Sequence, residues 1–162
     1  MNLTGTWIGE YTYGEGYAAD GMAGMSVPFT MSLTESAPDR IVGYVRDDSS
    51  RGGQPERGRV LGARHGKRVE FTKTMPVGYF TIDGELVERR EYIERIEQIE
   101  LPPGALPPFR IAYTGEFDAT GEALAGEWRI EPWGRTEDGE PLGEASRGTW
   151  SARRSSYEVA EV

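Results

Sequence analysis

The chain has 162 residues, of which 18 are basic and 27 acidic, for a formal charge of -9. This length suits one domain with a continuous core, and the charge repels phosphate backbones with no local basic stripe to overrule it, which excludes nucleic acid as a partner. With no cysteine there is no disulfide or thiolate metal site, and without a leader-like start or a run of ~18 apolar residues the expectation is a soluble cytoplasmic protein without membrane contact.

Glycine (22) and proline (10) punctuate short patterned runs, as in a turn-rich all-β protein. Period-two alternation marks half-buried strands, because successive side chains point to opposite faces. In the first run Leu3, Gly5, Trp7, Gly9, Tyr11 and Tyr13 share one face. Val27, Phe29, Met31 and Leu33 do so in a second, and Ile41, Gly43, Val45 and Asp47 in a third. A fourth strand spans about residues 58–64. Val69, Phe71, Lys73 and Met75 form the inner face of a fifth, and Ile111, Tyr113, Gly115 and Phe117 that of a sixth. Leu124, Gly126, Trp128 and Ile130 belong to a seventh, and Gly148, Trp150, Ala152 and Arg154 to an eighth.

Between strands five and six lies an insert, residues 76–108, with another period. Leu86, Arg89, Tyr92 or Ile93, Ile96 and Ile99 recur every three or four residues, and Glu85 and Glu91 each precede an arginine by four. The spacing predicts an amphipathic helix over 84–99, entered at Asp83 and ended by Pro102 and Pro103. It would act as a lid, or else plug the barrel side or make a homodimer contact. A hairpin turning at Asp83-Gly84 is a further option. Residues 155–162 read as a flexible tail after a domain of residues 1–154.

Glycine two before a large residue recurs as Gly5/Trp7, Gly43/Val45, Gly115/Phe117, Gly126/Trp128 and Gly148/Trp150. Such small and large alternation suits the interior of a small barrel. The expected fold is an eight-stranded antiparallel up-and-down barrel with a helical insert between strands five and six. Closure places strand eight beside strand one and is expected to bring the two Gly-Thr-Trp segments, 5–7 and 148–150, together.

The motifs "LTGTW", "IVGYV", "RVLGA", "VEFTK", "IAYTG", "LAGEW" and "GTWSA" resemble the strand series of the calycin families, the avidin-like and lipocalin-like barrels. The resemblance covers roughly residues 3–154 and implies the same closed barrel. It also implies that an arginine of the last strand, here Arg154, covers the first-strand Trp7 at the closed end. Biotin binding does not carry over, since Gly9, Tyr13 and Val45 stand where avidin-like proteins place hydroxyl and amide side chains. "YTYGEG" resembles the first-strand Tyr-x-Tyr of phenolic acid decarboxylases, whose tyrosines hold a substrate carboxylate; the arginine and glutamate that family also needs have no assigned counterpart here.

The long links 14–25, 76–108 and 132–146 and the medium link 49–56 alternate with short ones at 36–39, 65–66 and 119–122. In an up-and-down barrel this puts all long links at one rim, the expected mouth of a cavity. The first, "GEGYAADGMAGM", has the composition of a mobile flap. Strand direction then brings Tyr11, Tyr13, Phe29, Lys73, Tyr113, Trp128 and Ile130 to a ligand site, with Asp47 beside them. Lys73 would meet Asp47, meet an anionic ligand, or reach the rim.

The expected function is non-covalent binding of a small hydrophobic or aromatic molecule, with or without an anionic group. The first alternative is a cofactor-free decarboxylase, cyclase or isomerase using Tyr11, Tyr13, Asp47 and Lys73 as acid, base or orienting groups. The second is a filled barrel serving as an interaction module. No metal site is expected, because His65, the only histidine, falls in a tight turn. "GEGYAADG" neither follows a strand nor opens a helix, so no dinucleotide is expected.

Overall fold

The computed structural model of the protein describes residues 1–36, 39–132, 134–142 and 145–162. In chain order its elements begin with β1 (Gly5–Tyr13), β2 (Ser26–Ser36), β3 (Arg40–Asp47), β4 (Gly58–His65) and β5 (Arg68–Met75). An insert follows, made of β6 (Tyr79–Ile82), β7 (Glu85–Glu88) and the helix α1 (Arg89–Glu97). The chain then continues through β8 (Phe109–Phe117), β9 (Ala123–Ile130), the short β10 (Gly134–Arg135) and β11 (Pro141–Leu142), and ends in β12 (Ser146–Ser156).

Eight strands close into an antiparallel barrel in the order β1-β12-β9-β8-β5-β4-β3-β2. The alternation that marks each strand also decides its burial. In β8, Ile111, Tyr113 and Phe117 are buried while Arg110, Ala112, Thr114 and Glu116 are exposed. The glycines make room for neighbouring rings. The Trp150 ring lies over Gly115 and the Trp128 ring over Gly148, so close that a Cβ there would collide with them at 2.7 and 2.5 Å. Large rings and bare backbone thus interlock around the barrel, and small-to-large changes at these glycines would overpack it.

β12 does pair with β1, but the two Gly-Thr-Trp segments do not meet. Pairing is antiparallel, with Trp7 opposite Arg154, Tyr11 opposite Trp150 and Tyr13 opposite Gly148. Closure of an even-stranded up-and-down barrel runs its first and last strands in opposite directions. Trp7 therefore falls at the closed end, and Gly148 near the mouth.

At the closed end Trp7 is fully buried, its Nε1 donating to Leu3 O at 2.9 Å. The Arg154 guanidinium lies 4.4 Å from the Trp7 ring centroid, the contact that the resemblance to calycin barrels implies. Opposite, Glu35 accepts hydrogen bonds from Leu3 N and Arg64 Nε, both at 2.7 Å. Burial acts to raise the Glu35 pKa, but the Arg64 and Leu3 donors and the Arg64 charge outweigh it and hold it below its ordinary 4.5. A lowered carboxyl pKa stabilises the fold above the ordinary value, and that contribution is lost as pH falls through the folded value. Glu35→Gln is expected to lose about 1–3 kcal/mol at neutral pH. In urea unfolding at stepped pH, the gap to wild type should shrink below 4.5; a constant gap would mean that the charge is not what matters.

The links sort by end as their lengths predict. Residues 14–25, 48–57, 76–108 and, of the last long link, 131–132, 134–142 and 145 lie at one rim, and the links at 66–67 and 118–122 at the other. Of the remaining short link, residues 37 and 38 lie outside the described residues, as do 133, 143 and 144 of the last long one.

The insert departs from the predicted helix over 84–99. Residues 79–88 form a hairpin, β6 paired with β7, and the helix begins only at Arg89. Asp83 and Gly84 have φ of 51° and 81°, the two left-handed residues that a tight type I′ turn requires. That turn, with four residues on each side alternating across it, overrides the helical period. α1 stops at Gln98, itself left-handed at φ 53°.

The segment predicted as a mobile flap contains a 3-10 helix, Glu15–Asp20, and buries Tyr17 and Met22. The tail lies against the barrel wall, where Thr6 Oγ1 donates to Glu158 O at 2.7 Å and Ser32 Oγ to Ala160 O at 2.5 Å. Among the described residues no helix is long and apolar enough to cross a membrane.

Candidate functional site

Inward positions near the ends of β1, β3 and β5 converge under the mouth. Lys73 and Asp47 form an ion pair there, with Nζ 2.7 Å from both carboxylate oxygens. Each side chain is 2 % exposed. The Tyr11 hydroxyl donates to Asp47 Oδ2 over a long 3.4 Å. Of the three fates open to Lys73, the structure has the first. A buried pair this well matched is neutral as a unit, so Lys73 has no spare charge for a ligand.

Aromatic rings enclose the pair. Tyr11 and Trp128 meet edge to face at 6.3 Å, Tyr13 and Trp128 at 5.9 Å, and Tyr113 stacks on Phe71 at 4.8 Å. Burial pushes the Tyr13 phenol up to about 12. Burial, with the Asp47 charge behind it, raises Tyr11 and Tyr113 well beyond that of a free phenol. All three stay protonated at neutral pH, and of them the Tyr11 hydroxyl donates to Asp47. Burial likewise pulls the Lys73 ammonium down, against Asp47, which favours the charged form.

Buried side chains pack the barrel interior. Among them lies a chamber of about 50 Å³, bordered by Tyr11, Tyr13, Asp47, Lys73, Tyr113, Trp128 and Ile130, with room for a few waters or the tip of a ligand. Of the predicted ligand residues, Phe29 does not border it: Phe29 is buried over Gly9, where its ring would meet an added Cβ at 2.7 Å.

Residues from the links complete the chamber: Tyr17, Gln54, and Tyr79, Thr81 and Leu86 of the hairpin. The hairpin caps the mouth and is latched across it, the Tyr79 hydroxyl donating to Glu56 Oε1 at 2.6 Å. Gln54 Oε1 and Glu56 Oε2 are buried without a hydrogen-bond partner. No strand periodicity marks these positions. The length of the insert is the sequence signal for a cap, and the Asp83-Gly84 dipeptide the signal for its hairpin form.

Outside the cap, between the insert and the outer wall of β8 and β9, lies a vestibule of about 720 Å³. Tyr17, Tyr79, Thr81, Phe109 and Ile130 border both spaces and form the partition between them. Phe80 and Tyr92, edge to face at 5.6 Å, line its insert side, and Ala112 and Arg129 its barrel side. Arg89, first residue of α1, faces it as well, and burial draws its pKa down. Among the described residues no group of three His, Asp or Glu side chains is placed to hold a metal. No family model, curated protein or solved structure matches the chain.

Proposed function

We propose that the protein binds a small apolar or aromatic molecule non-covalently at the barrel mouth, its body in the vestibule and its tip toward the chamber. The vestibule carries this reading: at about 720 Å³ it has the size of small-molecule sites, and aromatic walls with a few polar groups are their usual makeup. The chamber, at about 50 Å³, is too small for the body of such a ligand, while its phenol donors can orient a polar tip.

Kinship with calycin-type barrels accords with this, supported by the closed eight-stranded topology and by Arg154 over Trp7. Absence of cysteine suits a cytoplasmic setting. Catalysis has less support, because protonated phenols and a lysine locked to Asp47 suit orientation better than proton abstraction. The filled interior favours one other reading, an interaction module acting through the insert, where Ile96 and Ile99 are 58 % and 50 % exposed.

The neutral fluorescent dye N-phenyl-1-naphthylamine tests the proposal. It is expected to bind the folded protein one to one, with enhanced emission and a Kd of about 10 μM or tighter. Absence of saturable binding would reject the proposal and turn attention to the insert surface.

A further inference from the structure

Arg89 is 5 % exposed, yet its charge has no carboxylate partner among the described residues. Its Nη2 donates to Pro107 O at 2.6 Å, and its Nε has no partner at all. The backbone holds it in place: its own N–H donates to Gly78 O at 2.8 Å, and the guanidinium packs 3.1 Å from where a Gly78 Cβ would stand. The Phe109 ring centroid is 5.9 Å away. A buried cation is costly unless paired, and proteins ordinarily pair or solvate it. This one faces the vestibule.

We infer that the vestibule takes an aromatic molecule bearing an anionic group, a carboxylate or its like, and that Arg89 is the charge partner of that group. The inference rests on reading the vestibule as a small-molecule site. It also relocates the anion contact, since Lys73 is committed to Asp47. The other charged groups bordering the vestibule fit this division. Arg129 is bound to Glu131 at 2.7 Å, and Arg110 is exposed, where solvent and salt screen it. Asp20, on the barrel's first link, is the remaining acid of the lining and forms no ion pair with Arg89. A planar guanidinium with free donors is suited to a carboxylate or sulfonate oxygen pair. The surrounding rings of Phe80, Tyr92 and Phe109 would cover the ligand's aromatic face.

Two dyes sharing one aromatic framework separate the charge from the rest: N-phenyl-1-naphthylamine, and 1-anilinonaphthalene-8-sulfonate, which adds a sulfonate. The wild-type protein should bind the sulfonate about tenfold more tightly than the neutral dye, the scale of a charge-assisted contact. Arg89→Gln, which can still donate to Pro107 O, should remove about that factor for the sulfonate and leave the neutral dye within about twofold. Arg153→Gln, at an exposed arginine of β12 outside the vestibule lining, should change neither by more than about twofold.

A merely structural role for Arg89 would weaken both dyes alike, so the ratio is the readout. Should Arg89→Gln lack the wild-type circular dichroism spectrum, Arg89→Lys carries the test: it keeps charge but loses the fork, and should lower sulfonate affinity alone. Equal affinities of the two dyes, or a ratio unmoved by substitution at Arg89, would overturn the anion inference while leaving the vestibule a binding site. Binding of neither dye would remove the site and this inference with it.

Discussion

Lys73→Met is expected to destabilise the fold by about 3–5 kcal/mol, the usual cost of leaving a buried charge without its partner. Lys73 Nζ contacts both Asp47 oxygens at 2.7 Å, and the two side chains are each 2 % exposed. Without the ammonium, Asp47 keeps only the long Tyr11 hydroxyl contact at 3.4 Å. Methionine fills nearly the lysine volume, so lost packing adds little and the effect isolates the charge. Replacing both partners, Asp47→Leu with Lys73→Met, should recover most of the loss, because a paired charge stabilises little relative to apolar groups of similar shape. Urea unfolding of the two singles and the double measures this coupling. Additive losses would mean that the pair does not act as a unit.

The second large effect is at the opposite end. Arg154→Ala is expected to cost about 2–4 kcal/mol, since its hydrogen bonds are made by a charged donor and its side chain is packed. Its Nη1 donates to Thr4 O at 2.6 Å, its Nη2 to Asn2 O at 2.5 Å and its Nε to Glu122 Oε2 at 3.0 Å. The guanidinium is also sandwiched between the Trp7 and Tyr157 rings, at 4.4 and 4.5 Å. One side chain thus joins the N-terminal segment, the β8–β9 link and the last strand. Arg154→Lys keeps the charge without the planar fork and should recover less than half. Amide exchange is expected to rise at Leu3 and Thr4 before it rises in β3–β5. Uniform loosening would mean that Arg154 acts through overall charge.

The barrel was legible because burial follows strand alternation, and alternation survives in the residues themselves. The inward register of Asp47 and Lys73 came from the same parity. What parity does not give is where a chain returns: it placed the two Gly-Thr-Trp segments on neighbouring strands but not at opposite ends. Nor does it reveal side-chain volume, so the packed interior and the burial of Phe29 over Gly9, outside the chamber lining, appear only in three dimensions. Tyr17, Gln54, Tyr79 and Arg89 come from links, where position depends on turns and caps rather than on period. In the insert two signals competed, the helical spacing of apolar residues and the Asp-Gly turn. Two left-handed residues in succession decided the matter for the hairpin up to Glu88.

The central claim is that a small molecule occupies the vestibule outside the filled barrel. Ala112 tests it most directly: exposed on β8, it lines the vestibule and packs in no core. Ala112→Trp should fill that space and weaken N-phenyl-1-naphthylamine binding about tenfold or more, with unfolding free energy changed by no more than about 0.5 kcal/mol. Unchanged dye affinity in a folded Ala112→Trp protein would contradict the claim and place the ligand elsewhere.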